Sequence, residues 1–158
     1  MMKNLCVYHT RSGISEEIAR QIARELDAET LEITDGRSYR GFFGYIAAAV
    51  TGLRKKLPAL SPDLPDCPLE TYDRVIVVSP IWCENVSPVM RAFLARNKGR
   101  FRGDICYVIG SMSGLSYLPK IDALCELTGK PYTDLLEIRT QKNDWHAELA
   151  EWIGKLKA

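Results

Sequence analysis

Histidine is scarce in this chain, net charge is close to nil, and no cysteines are spaced as in a zinc site or a C-x-x-C redox motif. Each absence excludes something. Across 158 residues, 21 Lys and Arg stand against 20 Asp and Glu, a formal charge of +1, so a broad polyelectrolyte partner such as nucleic acid is not expected. The five cysteines, at positions 6, 67, 83, 106 and 125, fit neither a metal nor a disulfide framework. Cys6 and Cys106 fall inside apolar strands, where Cys acts as a small hydrophobe, and reduced thiols in a cytoplasm fit this usage best. The longest apolar-rich stretch, Phe42 to Leu53, is too short and too broken by glycine to span a bilayer. The chain runs straight into its first strand with no signal-peptide pattern. A cytoplasmic location without a membrane partner is expected, and the length predicts one domain over residues 1–158.

Familiar phosphate loops are missing too. No Lys follows the glycine of the first turn, which excludes a nucleotide-triphosphatase loop, and the G-x-G-x-x-G dinucleotide fingerprint is absent. A phosphatase loop needs Arg six residues after its Cys. Six residues after Cys6 stands Ser12, with Arg11 one place short. A phosphorylated receiver domain needs acidic residues at the end of the first strand, where His9-Thr10 stands instead.

What is present is an alternation of strands and helices. Leu5–His9, Thr30–Ile33, Arg74–Ser79, Ile105–Ile109 and Leu135–Ile138 read as strands, the third β-branched and closed by Pro80. Ser15–Leu26, with Ile18, Ile22 and Leu26 on one face, reads as a helix. So do about Phe42–Leu57, then Pro88–Asn97 with Ser87 as cap, Leu118–Thr128 closed by Gly129, and Asn143–Lys157. Residues 58–68 are a Pro-stiffened return path. This order predicts an α/β fold: a flavodoxin-like doubly wound five-stranded parallel sheet, order 2-1-3-4-5, with helices on both faces and a ligand site at the carboxyl ends of the strands, near the switch point between strands one and three.

Three loops meet at that edge. Thr10-Arg11-Ser12-Gly13-Ile14-Ser15 joins a strand to a helix N-terminus, where free N–H groups and the helix dipole favour an anion, although Ser12 and Ser15 also suit plain N-caps. Pro80-Ile81-Trp82-Cys83-Glu84-Asn85 offers a large flat ring. That ring either stacks on a ligand or packs under its own loop. Ser111-Met112-Ser113-Gly114-Leu115-Ser116-Tyr117 is rich in backbone N–H and hydroxyls. A flat heteroaromatic ring with a phosphorylated tail would use all three.

At this point the chain resembles the flavodoxin family, in particular the short single-domain flavodoxin-like proteins of bacteria. Thr10-Arg11-Ser12-Gly13-Ile14-Ser15 follows that family's Ser/Thr-x-Ser/Thr-Gly-x-Ser/Thr pattern, and Ser79-Pro80-Ile81-Trp82 with Ser87–Leu94 is similar to its third strand, flavin loop and helix. Tyr39–Tyr45 resembles the segment after strand two in some members. The resemblance covers about residues 3 to 140. It implies FMN as cofactor, with Thr10 to Ser15 on the phosphate, Pro80, Ile81, Trp82 and Cys83 beside the isoalloxazine ring, and Ser111, Met112, Ser113 and Gly114 completing the pocket. It implies electron transfer, either as a carrier with a redox partner protein or as a small NAD(P)H-dependent reductase of quinones or flavins, NAD(P)H donating to a small acceptor. Ile14 stands where the family often has Asn, and the surface is neutral where flavodoxins are acidic. A flavin-free interaction or regulatory module on the same fold is the alternative.

No side-chain nucleophile, general base or metal is expected. His9 reads as a hydrogen-bonded structural histidine, His146 as surface, and Cys83 as an inert thiol. Glu84 either rims the site or moves a proton. Arg37, Arg40, Arg54 and Lys55 form a solvated face or meet an anionic dinucleotide or protein, and Arg54-Lys55-Lys56 reads as a solvated helix end. Tyr39–Tyr45 covers the pocket or forms a dimer face. The oligomeric state is open, a homodimer among the options.

Overall fold

The computed structural model describes residues 1–53, 56–142 and 144–158. Its strands are β1 (Asn4–Tyr8), β2 (Glu29–Glu32), β3 (Arg74–Trp82), β4 (Asn85–Val86), β5 (Asp104–Ser111) and β6 (Asp134–Arg139). Its helices are α1 (Ile14–Leu26), α2 (Gly41–Leu53), α3 (Pro88–Arg96), α4 (Leu118–Asp122), α5 (Cys125–Thr128) and α6 (Trp145–Lys157). Five strands pair in parallel in the order β2-β1-β3-β5-β6, and the short β4 pairs antiparallel with the end of β3.

Strand alternation splits the core in two. Leu5, Val7, Val75, Val77, Ile105 and Tyr107 face one side, against Val89, Met90, Phe93 and Leu94 of α3 and Ala48 of α2. Cys6, Ile76, Val78, Cys106 and Val108 face the other, against Ile18 and Ile22 of α1 and Leu149, Trp152 and Ile153 of α6. Strands buried on both faces read as continuous apolar runs, as Val75 to Val78 does. Both strand cysteines sit in this dry interior, and burial pushes the Cys106 thiol up to about 11.

Four local expectations need correction. The third strand does not stop at Ser79: it runs through Pro80 to Trp82 and turns back through Cys83 and Glu84 into β4, so the expected loop is a tight hairpin. The expected helix 118–128 is two short helices, because Leu124, Glu126 and Leu127 donate three residues back rather than four. Ser87 occupies the N-cap position of α3 but makes no capping bond, and its buried hydroxyl has no protein partner. The N-cap of α1 is Gly13, not Ser12 or Ser15, and the helix opens at Ile14. Of the expected helix 42–57, the described part ends at Leu53; Arg54 and Lys55, like Asn143 before α6, lie outside the described residues.

After β1 the chain winds out to β2 and then returns across β1 to β3. The winding therefore reverses between β1 and β3, and the loops after these strands splay apart to leave a crevice at their carboxyl ends.

Candidate functional site

A cavity of about 510 Å³ occupies that crevice, within the range of about 300–1,000 Å³ usual for cofactor and small-molecule sites. Thr10, Arg11, Ser12, Ile14 and Ser15 line it from the first loop; Pro80, Ile81, Trp82 and Cys83 from the hairpin; Ser111, Met112 and Ser113 from the third loop. Gly13 and Gly114, also singled out from the sequence, are not on the wall. They set the loops' paths instead, with φ of +101° and +71°.

The first loop is built as an amide cradle. Thr10 Oγ1 accepts the Gly13 N–H at 2.9 Å, fixing the turn while leaving the threonine O–H free to donate. No side chain caps α1, so the N–H groups of its first turn, which lack acceptors within the helix, point at the cavity end. Ser12 is exposed and Ser15 is buried in that first turn. Ile14 packs partly against the α1 face of the core. Its backbone N–H belongs to the cradle whatever the side chain, so the apolar residue costs a polar contact but not the cradle. Glu16 and Glu17 follow immediately, and their charge would oppose an anion. Glu16 is paired with Arg20 at 2.6 Å and Arg40 at 3.9 Å, and Glu17 is hydrogen-bonded to His146 at 2.7 Å. Among the described residues, Arg11 is the one cation on the cavity wall and Glu84 the one carboxylate. Arg11 lies 5.5 Å from the Tyr45 ring centre, in cation–π range.

The hairpin resolves the two sequence readings of Trp82. Its side chain reaches the wall yet is only 5% exposed. The ring is wedged edge-on against His9, at 5.1 Å, and tilted against Tyr39, at 4.7 Å. Trp82 therefore packs under its own loop, and the open aromatic surface of the cavity comes from Tyr45 and Tyr117. Cys83 and Glu84 hold φ of +49° and +62°, left-handed values that two-residue hairpins demand and that Asn-Gly usually supplies. Two non-glycine residues in this region store strain at the cavity rim. Cys83 Sγ donates to the Ala49 carbonyl at 3.3 Å and ties the hairpin to α2.

The third loop spends its hydroxyls on itself and on β6. Ser113 Oγ accepts the Leu115 N–H (3.1 Å) and meets Tyr117 Oη at 2.9 Å. Glu137, from β6, accepts the Ser116 hydroxyl at 2.8 Å and the Tyr117 N–H at 2.6 Å. Among the described residues, the amides of Ser113 and Gly114 have no acceptor in the protein.

His9 lies beneath the site rather than on its wall. Its Nδ1–H donates to the Ile33 carbonyl at 2.8 Å, an assignment forced by the acceptor-only partner, and Nε2 is buried without a partner. Burial holds its pKa below the ordinary value, the Ile33 bond and the Asp35 charge opposing only in part. The unfolded chain then binds a proton that the folded one refuses, so stability is full above about pH 6.5 and is lost progressively as the pH falls below that toward the lower folded value. Urea unfolding should show a lower midpoint at pH 5.5 than at pH 7.5, and His9→Asn should flatten the difference. An equal slope in the variant would assign the dependence elsewhere.

Sequence reading missed Ala48 and Ala49 of the α2 wall, and also Gly110 and Thr140, whereas Glu84 as a possible rim residue and Tyr117 at the end of the third loop were both legible. The aromatic segment 39–45 was visible as a possible cover for a pocket. Glu137, which braces the third loop from 20 residues away, gave no local signal at all.

No protein-family model matches the sequence, and no curated protein matches it either. Solved structures match over nearly the whole length. A candidate flavoprotein of Bacteroides uniformis ATCC 8492 is 18% identical over 97% of this chain and 98% of its own, with a TM-score of 0.77. The chain has the flavodoxin-like fold. A flavoprotein of Lactobacillus acidophilus NCFM, solved in complex with FMN, is 20% identical over 96% of this chain and 99% of its own, with a TM-score of 0.73. An NADH:FMN oxidoreductase, solved in its apo form, is more distant: 13% identity over 99% of this chain and 89% of its own, TM-score 0.58. At these identities the shared property is the flavodoxin-like fold, and the chemistry must be argued from the cavity.

Proposed function

We propose that this chain is an FMN-binding redox protein, working as an electron carrier or as a small NAD(P)H-dependent reductase of quinones or flavins. The observation that carries the reading is one cavity with two unlike ends: an uncapped helix N-terminus ringed by Thr10, Ser12 and Arg11, and an apolar and aromatic slot between Tyr45, Ile81, Met112 and Tyr117. A phosphorylated heteroaromatic fits both, and a flavodoxin-like neighbour was solved with FMN.

Bound flavin would supply the electron chemistry. The chain's part is to hold and shield it. The α1 amides and the Thr10 and Ser12 hydroxyls hold the phosphate, with Arg11 balancing its charge. Tyr45 and Tyr117 exclude water from the ring. The free Ser113 amide, on the cavity wall, would meet its polar edge. Glu84 is the carboxylate placed to take or give a proton at the hairpin rim.

Hydrogen bonds to a charged group are worth about 1.5–3 kcal/mol each, so Thr10→Ala/Ser12→Ala should weaken FMN at least 100-fold. Riboflavin, which lacks the phosphate, should bind the variant and the parent alike. Equal FMN affinity for parent and variant would remove the phosphate from this loop. Steady-state NADH and NADPH oxidation by the FMN-loaded protein then divides the two roles, since a carrier alone turns over almost none.

A further inference from the structure

Helix α2 is built inside out. The residues it turns toward the body are small: Gly44, Ala48 and Thr51 are its buried positions. The residues it turns to solvent are large and apolar. Phe42, Phe43 and Leu53 are 73%, 84% and 76% exposed, and Tyr45, Ile46 and Val50 about half. A surface helix ordinarily shows the reverse pattern. A contiguous stripe of six such side chains exceeds what single scattered hydrophobes explain and marks a surface made to be covered.

Charge says by what. From Gly36 to Pro62 the chain has no Asp or Glu and five cations: Arg37 and Arg40 before the helix, Arg54, Lys55 and Lys56 after it. The remainder carries 16 basic against 20 acidic residues, so the near-neutral total hides a basic segment that brackets α2. Arg37, Arg40 and Lys56 are exposed, and among the described residues Arg40 pairs only with Glu16, at 3.9 Å. A second copy packed on this face would bring like charges, Arg37, Arg40 and Lys56 of each copy, together. A surface that is apolar within and anionic at its boundary matches the stripe and both of its flanks.

We propose that α2 docks the protein on anionic phospholipid membranes, its apolar stripe entering the acyl boundary and the flanking Arg and Lys meeting acidic headgroups. The helix is too short to cross: no helix among the described residues is long and apolar enough to span a membrane. Tyr45, Ala48 and Ala49 of the same helix wall the cavity, so docking would set the cavity beside the bilayer surface. This departs from the expectation of no membrane partner, which rested on Phe42 to Leu53 being too short to span a bilayer, and it stands independently of what the cavity holds.

The test is co-sedimentation of the full chain with large unilamellar vesicles, at low salt, in two compositions: equal phosphatidylglycerol and phosphatidylcholine, and phosphatidylcholine alone. The expected result is a partition coefficient at least tenfold higher on the anionic vesicles, lowered at least tenfold by Phe42→Ser/Phe43→Ser. Neither ring lines the cavity and both are exposed, so far-UV circular dichroism should be unchanged. Arg37→Gln/Arg40→Gln, which leaves the apolar stripe intact, should weaken anionic-vesicle binding severalfold. Protein left in the supernatant with both compositions overturns the proposal. So does equal binding to both. A concentration-dependent dimer in sedimentation velocity without lipid, abolished by Phe42→Ser/Phe43→Ser, would give the face to a second copy and overturn it as well.

Discussion

Trp82→Ala should lower the stability of the fold by about 3–5 kcal/mol, the cost of deleting a buried aromatic where the surroundings relax only in part. The ring is 5% exposed and packed against His9 and Tyr39, so its loss opens a hole under the hairpin that forms one side of the cavity. The sequence expectation, a loss of about 1–3 kcal/mol of FMN affinity from a stacked ring, is replaced by a loss of folding stability. Trp82→Phe separates the two. It keeps a ring and removes an indole N–H that is buried without a partner, and an unpaired buried donor costs about 1–3 kcal/mol. Urea unfolding should place Trp82→Phe within about 1 kcal/mol of the parent, and an FMN titration should find its affinity unchanged. A large loss of FMN affinity in a stably folded Trp82→Phe would restore the stacking role.

Gly44→Ala is the second large effect. A Cβ at Gly44 would lie 2.1 Å from the Tyr39 carbonyl carbon and 2.3 Å from its oxygen, both backbone atoms that cannot swing aside. Ala is ordinarily the better helix residue by about 1 kcal/mol, and here the clash reverses the sign. Either α2 shifts outward or Tyr39 is driven from its place against Trp82 and His9. A loss of about 3 kcal/mol is expected in urea unfolding. The cavity should suffer too, because Tyr45, Ala48 and Ala49 move with the helix. A variant as stable as the parent would show that α2 does not approach Tyr39 this closely.

These two residues also mark how far the sequence could be read. The layered fold was legible because its signals are local and repeated: the apolar run at Val75–Val78, the Ile18–Ile22 spacing, and Gly129 after its helix. The three loops were legible as a group because strand order alone brings the carboxyl ends of neighbouring strands together. What escaped was set by packing. Nothing beside Trp82 says whether the ring turns outward or in. His9 and Tyr39 decide that from 73 and 43 residues away in the chain. The hairpin after β3 was hidden because Cys83-Glu84 lacks the Asn-Gly signature of a two-residue turn. The α2 wall escaped because the small residues that let it close on the sheet look, in sequence, like interruptions in an apolar stretch.

The proposed function requires that the cradle at the start of α1 and the slot beyond it bind one molecule. A paired titration tests this most directly: FMN and riboflavin added separately to the purified protein, followed by tryptophan fluorescence and by the visible flavin band. Saturable binding of FMN is expected, with affinity for riboflavin lower at least 100-fold, the phosphate contribution of about 3 kcal/mol or more. Equal affinity for the two, or no response to either, would contradict it.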